Sequence, residues 1–255
     1  MHYEHDRIEV KSRSEIEIMR VGGKILREII ENVCSVAAPG ISTWELETLA
    51  RKLFRERKLQ PSFLGYKGFP AALCTSINEE IVHGIPSARR ILKSGDILKI
   101  DAGLLYRGFH TDCAVTIPIG DVNSESLGLM QATRDSLNAG IARACPGNRL
   151  GDVSHAIQEV VQSHGFSVVR DYTGHGIGRK LHEGPQIPNY GREDSGPRLK
   201  TGMALALEPM VNAGGHETRL LDDEWTVITA DGRRSAHFEH TIVITDNGPQ
   251  ILTVA

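Results

Sequence analysis

Two stretches of the chain repeat each other, and each ends on a carboxylate. Lys93-Ser-Gly-Asp-Ile-Leu-Lys-Ile-Asp101 matches Lys200-Thr-Gly-Met-Ala-Leu-Ala-Leu-Glu208 at an offset of 107, and the same offset relates Ala38-Pro39-Gly40 to Cys145-Pro146-Gly147. A constant offset at two separated places points to a duplicated unit. After each first carboxylate a strand-like run carries a second: Asp112-Cys-Ala-Val-Thr-Ile in one half and Glu239-His-Thr-Ile-Val-Ile in the other. Two such halves bring four acids to a central pseudo-twofold axis. Four carboxylates cannot share a small pocket unpaired, and a pair of divalent cations is the simplest way to neutralise them.

Helices and strands alternate in the same order in both halves. Ile16, Met19, Gly23, Leu26 and Ile30 recur at spacings of three and four, which predicts a helix over Ser14–Val33. Ser42 with Glu45 forms a capping-box start for a second helix through Leu46, Leu49 and Leu53. Helices over 127–144 and 152–163 echo this pair around the Pro146-Gly147 break. Strands are expected over 73–82, 97–102 and 110–118, with a turn at 105–108, and again over 203–211, 225–230 and 238–245. Each half reads as two helices followed by antiparallel strands, an α+β pattern. No linker separates the halves, so the expectation is one catalytic domain over residues 1–255 with an internal repeat, about 8–122 and 123–255.

Composition narrows the function classes. A net charge of −3 and the lack of any basic run argue against general nucleic-acid binding. The first 20 residues are charged throughout and have no signal-peptide core, and no run approaches the ~18 apolar residues of a membrane span. A cytoplasmic protein is expected. Cys34, Cys74, Cys113 and Cys145 are scattered without a CxxC, so they read as buried or half-buried free thiols rather than disulfides or zinc ligands.

Asp101 and Asp112 lie eleven apart across a tight turn. Facing residues of a hairpin have Cβ atoms roughly 4.5–5.5 Å apart, so two acids there can share a metal. The plain alternative is one acid paired with an arginine and one exposed; the recurrence of the pattern at Glu208 and Glu239 favours the metal. Ile100 and Leu207 precede the first acids, and Val115, Ile117, Ile242 and Ile244 follow the second, so the acids are expected to be buried and to need a cation. Gly174-His175-Gly176-Ile177-Gly178 removes side chains from around one imidazole, so that backbone and ligand can approach closely. It lacks the spacing of a phosphate-binding glycine loop, and a glycine turn with a surface histidine is the bland alternative. The set of Asp, Asp, His, Glu and Glu is hard to borderline and suits Mn, Fe(II), Co or Zn. Four negative charges balance two dications, which could together polarise a carbonyl and activate water. His83-Gly-Ile-Pro86 and His182-Glu-Gly-Pro185 are a further symmetric pair, suited to donating or carrying a proton. His2, His5, His110, His155, His164, His216, His237 and His240 have no such context and read as structural or exposed, with His240 facing away from the side that carries Glu239.

Together these residues resemble the type I methionine aminopeptidases. The matching segments are Ser76-Ile-Asn-Glu-Glu-Ile-Val-His-Gly-Ile-Pro86, Lys99-Ile-Asp-Ala-Gly103, Gly108-Phe-His-Thr-Asp112, Tyr172-Thr-Gly-His-Gly-Ile-Gly178, Leu207-Glu-Pro-Met-Val-Asn-Ala-Gly214 and Phe238-Glu-His-Thr-Ile-Val-Ile-Thr245. The resemblance runs from about Ile8 to the C-terminus. It implies the pita-bread fold, two α+β halves around a curved antiparallel sheet, and removal of the initiator methionine from nascent chains when the next residue is small. It implies that Asp101 holds one metal, His175 and Glu208 the other, and that Asp112 and Glu239 bridge both. Glu208 would accept a proton, His182 would donate to the developing oxyanion, and His83 would contact the peptide at the scissile bond. The methionine pocket would be Phe63, Tyr66, Phe69, Cys74, Leu181 and Trp225. Here the chain departs from the family: Phe63 replaces a Cys found in some members, Leu181 a common Phe and Phe69 a common Tyr. A monovalent cation near Asn78, Glu80 and Ser235, held by backbone oxygens, belongs to the same set of expectations, as do a monomeric state and transient contact with the ribosome. The competing readings are a proline-specific aminopeptidase or dipeptidase on the same fold, and a non-catalytic binding module that has lost ligands.

Overall fold

The architecture is that of a computed structural model, which describes residues 8–254; His2 and His5 lie outside them. Four helices carry the outer layer: α1 Arg13–Val36, α2 Thr43–Glu56, α3 Ser124–Arg143 and α4 Leu150–Ser163. Both helices of the first half begin on a capping box. The Ser12 hydroxyl accepts from Glu15 N while the Glu15 carboxylate returns to Ser12 N, and Ser42 and Glu45 do the same for α2. Two orphan N–H groups are satisfied at each start. Leu26, Ile29, Ile30 and Val33 of α1 and Leu46, Ala50 and Phe54 of α2 are buried in one core with Ile97, Leu98, Ile100 and Leu104 of the sheet. Leu49 and Leu53 sit half-buried at its margin.

The strands of the first half centre on a hairpin of Ile97–Tyr106 and Phe109–Pro118. Arg107 and Gly108 both have positive φ, the two-residue turn whose twist matches the strands it joins. Leu73–Ile77 pairs with the other edge of Ile97–Tyr106. The strand expected over 73–82 is interrupted at Asn78 (φ 51°) and resumes at Glu80–Val82. In the second half the order is Gly248–Ile251, His240–Thr245, Ala204–Leu207, Thr173–Gly176 and Glu183–Pro188, antiparallel throughout. The strand expected over 203–211 stops at Leu207 and restarts at Met210, because Pro209 has no N–H to continue a ladder.

The hairpin and the second-half strands meet edge to edge. Glu239 N donates to the Ala114 carbonyl at 2.9 Å. Asp112 N donates to the Thr241 hydroxyl at 2.8 Å, and that hydroxyl donates back to the Asp112 carbonyl at 2.8 Å. Thr116 Oγ1 donates to the His237 carbonyl at 2.6 Å. These bonds bring the second acid of one half against the second acid of the other. Among the described residues no helix is long and apolar enough to cross a membrane.

Candidate metal centre

The hairpin register sets Asp101 opposite Ala114 and Asp112 opposite Gly103, so the two aspartates are diagonal neighbours rather than facing partners. Asp101 also faces Cys74 across the Leu73–Ile77 strand. Glu208 and Glu239 differ from them in placement. Each lies just outside a strand, and the pairing of Leu207 with His240 makes them adjacent. His175 enters from the neighbouring strand, opposite Ala206. Glycine is required on both sides of it. A Cβ on Gly174 would lie 2.5 Å from the Ala206 carbonyl, and one on Gly176 would run into the Gly184 carbonyl.

All five of these residues, with His83 and His182, line one cavity of about 540 Å³. Ligand atoms of Asp112, His175 and Glu239 lie within 4.8 Å of one another, and His175 Nε2 is 3.5 Å from Glu208 Oε1. The His175 Nδ1 is 2.9 Å from the Gly176 carbonyl. A carbonyl only accepts, so Nδ1 carries the proton and Nε2 keeps a free lone pair, able to ligate a metal, on the side of the acids. Burial keeps this imidazole neutral, its pKa pushed down to about 4.

The electrostatics are those of a site built for a cation. The described ion-pair partners of the four acids are His175 and His237, both on Glu208. Asp101 Oδ1 and Glu239 Oε1 are buried without a hydrogen-bond partner. Burial raises the Asp101 carboxyl to about 7. Asp112 is raised by burial and by Glu239 and Asp101, Glu208 by burial and by Asp112 and Asp101, and Glu239 by burial and by Glu208 and Asp101. Orphaned carboxylate oxygens that repel one another are costly in a protein interior. Oxygen ligands with one imidazole nitrogen fit divalent metal and supply the charge this centre lacks.

Phe63, Tyr66, Phe69, Cys74, Leu181 and Trp225 line the same cavity. Phe69 and Trp225 pack edge to face, with centroids 5.0 Å apart. All four cysteines are free, with Cys74 and Cys113 buried and Cys34 and Cys145 half-buried, as expected. Tyr66 Oη is 2.8 Å from His182 Nδ1, and the His182 ring lies 4.3 Å from that of His175. His83 has φ of 61°, a conformation that costs a residue other than glycine about 1–3 kcal/mol and gathers at functional sites. Its ring packs on Tyr172 and Trp225.

Several neighbours escaped the sequence reading. Val82, Arg170, Tyr172, Gln186, Tyr190 and Met210 also line the cavity. His237 is buried with neither ring nitrogen hydrogen-bonded, and its Nε2 is 3.8 Å from Glu208 Oε2. It stands two residues before Glu239, and strand alternation was the available signal. His240 faces the opposite side, where it hydrogen-bonds Thr253 and lines a second cavity with Arg27 and Cys34. The side chain of Lys99 reaches the place where the monovalent cation is expected. Lys99 Nζ donates to the main-chain oxygens of Asn78 (2.7 Å) and Ser235 (2.9 Å), and the Glu80 carboxylate is taken by Ile77 N and Arg90.

Residues 17–246 match metallopeptidase family M24. The chain belongs to this family of metal-binding hydrolases. Relatives that share 41–50% of its sequence over nearly the whole chain are methionine aminopeptidases. Methionine aminopeptidase 1 of Bacillus subtilis is 50% identical over 243 residues, covering 95% of this chain and 98% of that one. The crystal structure of methionine aminopeptidase from Thermotoga maritima superposes with a TM-score of 0.96 at 47% identity, covering 98% of this chain and 100% of that one. The prolidase of Pyrococcus horikoshii shares the pita-bread fold at a TM-score of 0.78, with 22% identity over 98% of this chain and 64% of that one.

The glycine beside the imidazole gives a direct test of the centre's geometry. Gly176→Ala is expected to push the Glu183–Pro188 strand away and lower metal affinity by about ten- to a hundredfold, the usual effect of disturbing a ligand's support. Bound metal after passage over a desalting column measures it.

Proposed function

We infer that this chain removes the N-terminal methionine from nascent polypeptides and peptides whose second residue is small, as a two-metal aminopeptidase. The observation that supports this best is a single cavity holding both a cluster of acids in need of cations and an apolar recess with a thiol. Asp101 would hold one divalent ion and His175 and Glu208 the other, with Asp112 and Glu239 shared between them; Mn, Fe(II), Co and Zn all suit these donors. Bound metal supplies Lewis-acid polarisation of the scissile carbonyl and acidifies a water.

The chain's own groups do the rest. Glu208, flanked by His175 and His237, takes the proton released as the nucleophile forms. Burial depresses His182 to about 2, so it acts as a neutral imidazole. In the tautomer whose Nδ1 accepts from the Tyr66 hydroxyl, the proton sits on Nε2, ready for the carbonyl oxygen as charge develops. His83 contacts the peptide at the scissile bond. The methionine side chain fills the recess of Phe63, Tyr66, Phe69, Cys74, Leu181 and Trp225, where ring edges and a thiol suit a polarisable thioether. The acidic centre receives the substrate's free α-amine, which restricts cleavage to the first residue. Such an enzyme works in the cytoplasm as a monomer, on chains as they leave the ribosome.

A peptide panel on the metal-loaded protein tests the assignment. Met-Ala-Ser should release methionine, while Leu-Ala-Ser and Ala-Pro-Ala stay intact. Cleavage of Ala-Pro-Ala would move the chain to the proline-specific members of the fold, and cleavage of none would point to a binding module.

A further inference from the structure

Lys99 stands in the middle of the Ile97–Tyr106 strand with 1% of its surface exposed. A buried amine is stable only where acceptors surround it, and the acceptors here are main-chain carbonyls. Asn78 O and Ser235 O receive its hydrogens at 2.7 and 2.9 Å. The cage is rigidly built. The Asn78 side chain bonds Asp96 and Ile97 N, its backbone N–H bonds the Ile97 carbonyl, and its own carbonyl also accepts from Ser235 N at 3.0 Å. The Ser235 hydroxyl is anchored on the Val211 carbonyl. Converging backbone carbonyls at a fixed spacing are how proteins hold alkali cations.

We propose that Lys99 is the built-in cation of this carbonyl cage, occupying the place of Na⁺ or K⁺ and making the chain indifferent to both. Its nitrogen ties together three segments that lead into the metal centre. The Asn78 turn leads to His83, the Ser235–His237 strand leads to Glu239, and Asp101 follows Lys99 by two residues on the same face of its strand. Lys99 is therefore a positioning residue, holding parts of both halves of the chain at one spacing.

The test compares wild type with Lys99→Met, both metal-loaded, by thermal midpoint in choline, lithium, sodium and potassium chloride at one ionic strength. Midpoint reads the cage whether or not peptides are cleaved. Wild type should melt within about 1 °C in all four salts, the spread expected of a cage with no free site. Lys99→Met should fall by on the order of 5 °C in choline, since buried carbonyls lose their partner, and recover saturably in sodium or potassium. Saturable stabilisation of wild type by one alkali ion would overturn the proposal. So would a Lys99→Met protein that responds to every salt alike, because the amine would then be an ordinary hydrogen-bonding group. Should Lys99→Met fail to fold, Lys99→Gln provides the second arm, and the wild-type series decides the first by itself.

Discussion

Asp112→Ala is expected to abolish methionine release and to strip the centre of metal. Asp112 is the acid where the two halves join: its N–H and carbonyl are both held by Thr241, and its carboxylate lies with those of Glu239 and the His175 nitrogen. Loss of an acid proposed to serve both metals should remove several kcal/mol of charge stabilisation, about a thousandfold or more in rate. Asp112→Asn should do nearly the same, since shape is kept and charge is lost. The sign reverses in the metal-free protein. There the Asp112 carboxylate is raised by burial and by Glu239 and Asp101, so its ionised form opposes folding. Metal-free Asp112→Asn should melt above metal-free wild type. Metal analysis with a thermal melt, with and without metal, checks both halves of the prediction. An Asp112→Asn protein that keeps its metal would show that the carboxylate serves the fold alone.

His182→Ala is expected to cost about a hundredfold to a thousandfold in kcat, the usual effect of deleting an oxyanion donor, with metal content unchanged. His182 lies beside the acids without being placed among the ligands. Its ring rests against His175, and its Nδ1 lies 2.8 Å from the Tyr66 hydroxyl. Tyr66→Phe should therefore slow turnover about tenfold, within the range of single hydrogen-bond effects. Metal loss in His182→Ala, or full activity, would contradict the assignment.

The acids were legible because duplication displays them twice and because strand period two carries Asp101 and Asp112 to one side of a hairpin with a short turn. The capping box at Ser42 and the apolar stripe of α1 were legible for equally local reasons. The strands Thr173–Gly176 and Glu183–Pro188 were not. They are short, rich in glycine and proline, and become strands only through partners far along the chain. The same holds for Lys99 and His237. A lysine in an apolar run or a histidine near an acid acquires meaning from what converges on it, such as the carbonyls of Asn78 and Ser235 or the carboxylate of Glu208. The fold family and the roles within the ligand set came from resemblance of whole segments. Periodicity by itself reached only an α+β chain with four acids at its centre.

The buried acids are expected to act by holding metal. The measurement that addresses it most directly is methionine release from Met-Ala-Ser by protein stripped with EDTA and then titrated with Mn(II). Activity should vanish on stripping and return as the ion is added, with saturation by two bound ions per chain. Undiminished release from protein shown to be metal-free would contradict the account.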